Sequence, residues 1–112
     1  MSTPQEEFQK FLDEQRAEYK SSLPGKTTEI RTLWHAVNSD PEGAKPLKEL
    51  ERMAHTLAGT AGTLGFREVG TAAKALELLL EHAVAVGSDL TLTQRSEIAL
   101  AIDTLQASLP GP

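Results

Sequence analysis

The stretch Leu47-Lys48-Glu49-Leu50-Glu51-Arg52-Met53-Ala54-His55-Thr56-Leu57-Ala58-Gly59-Thr60-Ala61-Gly62-Thr63-Leu64-Gly65-Phe66 decides the fold. Leu47, Leu50, Ala54, Leu57, Ala61 and Leu64 recur at 3-4-3-4-3 spacing. An α-helix gathers such positions into one stripe, and a heptad-like stripe packs in an antiparallel bundle. Gly62 to Gly65 supplies the stop. His55 stands next to the stripe, which predicts a partly exposed histidine at the edge of the buried surface. Gly59 and Gly62 follow at i+4 and i+7 and share its face. Two glycines inside a helix cost about 1 kcal/mol each relative to alanine. A helix that must let another protein close in on a histidine has a reason to accept that cost.

The next segment repeats the design. Val69, Ala72, Leu76, Leu79, Ala83 and Val86 again step 3-4-3-4-3, and Gly87 terminates them. One position beyond this seam lie Gly70, Ala73 and Glu77, an edge of small residues carrying one acid. The two segments read as a hairpin over about 47–86, turning near Leu64–Phe66. Eleven residues back from Phe66 is His55, and eleven forward is Glu77. At 1.5 Å per residue both lie ~16 Å from the turn and face each other. A glutamate can accept a hydrogen bond from one imidazole nitrogen, which fixes the tautomer and leaves the other as a nucleophile.

Working outward, Thr3-Pro4-Gln5-Glu6 is a capping box with proline at the first helical position. The helix it opens is expected to end near Ser21–Ser22 and to pack on the others through Phe8, Phe11 and Leu12. Leu23-Pro24-Gly25 is expected to interrupt the chain. A second helix then places Leu23, Thr27, Ile30, Trp34 and Val37 on a core-facing stripe and ends at Asn38-Ser39-Asp40-Pro41. Thr91-Leu92-Thr93-Gln94 is another capping box, opening a last helix with Ile98, Ile102, Leu105 and Leu109 on one face. No segment alternates as a strand does. The sequence therefore predicts an all-α single domain over 1–112, an antiparallel four-helix bundle with an additional N-terminal helix.

Composition excludes several functions. The 112 residues carry a net charge of −5, which argues against nucleic acid and anionic membrane surfaces as partners. There is no cysteine, so disulfides and thiolate metal sites are excluded. The polar, acidic Met1–Lys10 is unlike a signal peptide, and the chain reads as cytoplasmic. No metal site is expected. Di-iron bundles need Glu-x-x-His on two helices, whereas Glu51 stands four residues before His55 and no second copy exists. His35 and His82 read as ordinary surface residues, Arg67 and Glu68 as solvated charges, and Trp34 as core.

A lone exposed histidine oriented by an acid suits nucleophilic phosphoryl transfer, where positioning does most of the work. The chain has no glycine-rich nucleotide loop, so it reads as a phosphocarrier rather than an enzyme that uses ATP. The run His55-Thr56-Leu57-Ala58-Gly59-Thr60-Ala61-Gly62-Thr63-Leu64-Gly65 resembles the signature of histidine phosphotransfer (HPt) domains. The resemblance continues through Phe66 and Ala75-Leu76-Glu77 to about Glu81, and is similar to the phosphotransfer domain of chemotaxis histidine kinases. It implies that His55 is phosphorylated and that Glu77 hydrogen-bonds its imidazole. It also implies a receiver-domain or histidine-kinase partner, with Mg2+ on the receiver and no cofactor on this chain. The family usually carries a basic residue where this chain has Ala58. Arg52, at i−3 from His55, and Lys74, one turn before Glu77, are the candidate substitutes.

The expected partner surface is His55, Glu51, Arg52, Ala58, Gly59 and Gly62, with Leu57 and Leu64 inside. Such a contact is small and transient, since a carrier must release its partner, and nothing demands a dimer. The competing reading is a helical interaction module that binds a receiver or kinase without phosphotransfer, for which Ala58 is the argument.

Overall fold

The computed structural model describes residues 1–39, 43–87 and 89–111. It contains α1 (Pro4–Ser39), α2 (Ala44–Thr63), α3 (Arg67–Val86) and α4 (Leu92–Ala107), and no strand among the described residues. Each helix packs on the next and α4 closes the ring on α1. The core is aliphatic, with Leu23, Ile30, Leu50, Leu76, Leu80, Ile98, Ile102 and Leu105 among its fully buried side chains. Thr91 caps α4 as expected, its hydroxyl accepting from the Gln94 N–H at 3.0 Å while Gln94 Oε1 accepts from the Thr91 N–H at 2.8 Å. Asp40 and Pro41, expected to end the second helix, lie outside the described residues. Among the described residues no helix is long and apolar enough to cross a membrane.

The separate N-terminal helix is absent, because α1 is one 36-residue helix with Pro24 inside it. A proline in a helix interior removes one hydrogen bond and costs about 3 kcal/mol. Packing on both sides of the proline opposes that cost. Leu23 and Thr27 are buried, and the Tyr19 ring lies 5.8 Å from Phe66, centroid to centroid. Burying a leucine and half-burying a tyrosine returns energy of the same order. Hydroxyls also serve carbonyls around the break. Ser22 donates to Tyr19 O at 2.6 Å, and Thr27 and Thr28 donate to Pro24 O at 2.9 and 3.0 Å.

Phe8 and Phe11 do not pack on the bundle; they are 62% and 53% exposed. Arg16 marks where α1 passes the α2–α3 turn, its Nε donating to Leu64 O at 2.9 Å. Residues 4–15 project beyond that point by about 18 Å. The molecule accordingly measures 60 Å along its long axis and 25 × 19 Å across.

The α3 seam also departs from the expected one. Leu80 is fully buried, Leu79 is half-buried and Val86 is 58% exposed. A straight helix drifts ~20° per heptad against a strict seven-residue repeat, so the buried face moves one position along after three turns. Trp34, expected in the core, is half-buried against it.

Candidate functional site

The site is built on the α2–α3 hairpin. Leu47, Leu50, Ala54, Leu57 and Ala61 are buried, as their spacing predicts, while Leu64 at the helix end is half-buried. The turn is a Schellman motif. The Phe66 N–H donates to Ala61 O at 2.8 Å and the Gly65 N–H to Gly62 O at 3.2 Å. Gly65 has φ of 87°, a conformation that an L side chain rarely adopts. Closing the hairpin in so few residues fixes the register of the two helices.

Small side chains then set their separation. A Cβ on Gly70 would lie 3.2 Å from Gly62 N, 3.4 Å from Gly62 Cα and 3.5 Å from Ala58 O. The backbones thus approach directly along this edge. Ala54 and Ala73 are fully buried, and Ala58 is half-buried.

This closeness brings His55 and Glu77 together. His55 Nδ1 bonds Glu77 Oε2, and Lys74 Nζ donates to Glu77 Oε1 at 3.1 Å. Both oxygens of a carboxylate that is only 7% exposed are therefore engaged. Burial pushes the Glu77 carboxyl up, but the hydrogen bonds from His55 and Lys74 outweigh it and hold it below its ordinary 4.5. The carboxylate accepts, so Nδ1 carries the proton and Nε2 keeps its lone pair. The imidazole itself is 72% exposed. It opens on a shallow hollow of about 520 Å3 lined by Thr56, Gly59, Thr60, Thr63 and Leu64.

The depressed Glu77 makes stability depend on pH with a definite sign. Its contribution is fully present above about pH 4.5 and is lost as pH falls through the lower folded value. Thermal melts followed by circular dichroism from about pH 6 to about pH 3 are expected to show the parent chain losing more stability than Glu77→Gln. Parallel losses in the two proteins would remove Glu77 as the linked group.

The remaining sequence candidates fall into two groups. Lys74 joins the His55–Glu77 pair directly. Arg52 does not, since its Nη2 holds both carboxylate oxygens of Glu49 at 2.8 and 2.7 Å on the outer face of α2. Gly59 and Gly62 are exposed, and a Cβ on either would meet nothing within 4 Å. No internal contact requires glycine's missing side chain at these two positions. Sequence reasoning gave Gly70 no separate role, although the same small-residue edge that contains Glu77 carried the signal.

Comparison with known proteins identifies the family. The Hpt domain family matches residues 6–108. The chain is 33% identical over 82 residues to Chemotaxis protein CheA of Halobacterium salinarum, an overlap of 73% of this chain. That overlap is 12% of the relative's own length, so this chain corresponds to a small part of it. No solved structure gives a significant match. A match over nearly the whole chain, on a helical bundle holding a solvent-facing histidine, shows that this protein belongs to the Hpt domain family, the histidine phosphotransfer modules of two-component signalling.

Proposed function

We propose that this chain carries a phosphoryl group on Nε2 of His55, passing it between a histidine kinase or receiver aspartate and a second receiver aspartate. The observation that carries the reading is the division of the imidazole, with Nδ1 held by buried Glu77 and Nε2 left in the open. In the forward step the Nε2 lone pair attacks phosphorus of a phosphoaspartate. A P–N bond forms, the P–O bond breaks, and the electron pair leaves on the aspartate carboxylate. The ring becomes a cation that keeps its Nδ1 proton, and Glu77 balances the charge. Transfer onward reverses each of these changes. This chain contributes orientation and charge balance. Mg2+ belongs to the receiver in this scheme. Gly59 and Gly62 leave the approach clear, with Glu51 and Arg52 at its border.

The test is phosphotransfer from a panel of phosphorylated receivers and kinases, with His55→Gln as control. Acid-labile, base-stable phosphate is expected on His55 by mass spectrometry and is expected to vanish in the control. Receiver binding without label from any donor would overturn the carrier reading and leave a non-catalytic interaction module.

A further inference from the structure

A phosphoryl group on His55 brings roughly two negative charges to a site that already contains a buried carboxylate. Two like charges so close need a cation, and α2 places none on the α3 side of His55. The position one turn on is Ala58, and Gly62 follows it. Arg52 is engaged by Glu49. Arg67 opens α3, ten residues before Glu77 and about 15 Å from it along the helix.

Lys74 stands differently. Its ammonium and the His55 imidazole occupy the two oxygens of one carboxylate. Between Lys74 and α2 lies an open hollow of about 450 Å3, lined besides Lys74 by Ala58, Gly62, Gly65, Gly70, Thr71 and Arg67; of its two cations only Lys74 is bonded to Glu77. Apart from Lys74 and Arg67, nothing lining it is longer than a threonine. The lysine side chain is more than half exposed, so its ammonium is free to turn. An ammonium has three donors, enough to keep one on Glu77 while giving another to a phosphoryl oxygen.

We propose that Lys74 is the cation that pairs with the phosphoryl group on His55, reaching it from α3 across the floor left open by Ala58, Gly62 and Gly70. Glu77 then has two tasks. It holds the imidazole by one oxygen and parks the ammonium beside it by the other. The missing base on α2 is thereby supplied from the facing helix.

The inference rests on phosphorylation of His55, and its test separates the two. The full chain is phosphorylated with phosphoramidate, a small-molecule donor, as wild type, Lys74→Gln, Lys74→Arg and the double variant Lys74→Gln/Ala58→Lys. The ionisation of the phosphoryl oxygens is followed by 31P NMR. A neighbouring ammonium favours the doubly charged phosphoryl group, so Lys74→Gln is expected to raise its midpoint by roughly 0.5 to 1 pH unit. Lys74→Arg is expected to stay near wild type, and Ala58→Lys to bring the double variant back toward it. The Glu77 carboxyl resonance of the unphosphorylated Lys74→Gln chain, followed by 13C NMR, is expected to titrate higher than in wild type, because one hydrogen bond is gone. Phosphate on His55 with the same 31P midpoint in wild type and Lys74→Gln would overturn the role of Lys74 and leave the carrier reading intact. No label on His55 of the wild type would overturn both.

Discussion

A Glu77→Met variant is expected to melt at or above the temperature of the parent chain while accepting phosphate about 100-fold more slowly. The two effects have separate origins. Glu77 is a charged group in a nearly closed position, and its burial costs free energy that two hydrogen bonds have to offset. Methionine fills a similar volume without that cost. Removing one member of a buried pair is usually damaging because the other is stranded. Here both partners are on the surface, His55 at 72% and Lys74 at 57% side-chain exposure, and water takes over their hydrogen bonds. The stability change is therefore expected to lie between zero and about +2 kcal/mol. The chemistry has no such substitute. Without a carboxylate on Nδ1 the proton divides between the two nitrogens, the ring turns freely, and the cation formed on attack has no counter-charge. Positioned proton partners of this kind contribute about 10²–10⁴ in rate, of which the lower end is expected for an exposed imidazole. Differential scanning calorimetry and phosphoramidate labelling measure the two quantities on one sample. A fall in melting temperature of more than a few degrees would show that Glu77 holds the hairpin together.

The glycines of the hairpin are expected to respond in opposite directions. Gly70→Leu is expected to cost about 3 kcal/mol, the upper range for overpacking, because the obstacle it meets is backbone. The first atom of the new side chain already falls 3.2 Å from Gly62 N, and the rest must displace α2 bodily. Gly59→Ala and Gly62→Ala are each expected to stabilise by about 1 kcal/mol, since their Cβ positions are open and alanine is the better helix former. Urea unfolding monitored by circular dichroism gives all three values. A neutral Gly70→Leu would mean that the helices are not in contact at this point.

The sequence was most readable where one period governed many residues. Five apolar positions in α2 fix its buried face, and a turn centred on Phe66 is enough to bring residues 55 and 77 opposite each other. Residues whose environment depends on distant segments were not readable this way. Pro24 looks like a break until Tyr19, Leu23 and Thr27 are seen packed around it. Phe8 and Phe11 look like core until the length of α1 is compared with that of α2. The choice between Arg52 and Lys74 was beyond spacing alone, because it turned on Glu49 occupying one of them. Val86 was misplaced by extending a seven-residue repeat that a straight helix does not keep.

His55, Glu77 and Lys74, and the glycines beside them, all come from α2 and α3. Among the described residues, neither outer helix sends a side chain into the His55–Glu77–Lys74 hydrogen bonds. These contacts are thus made within the hairpin alone. Sequence drift in α1 or α4, or a domain fused to either, removes no partner from the His55–Glu77–Lys74 hydrogen bonds. A hairpin of this kind can be moved between larger assemblies with its internal His55–Glu77–Lys74 contacts intact.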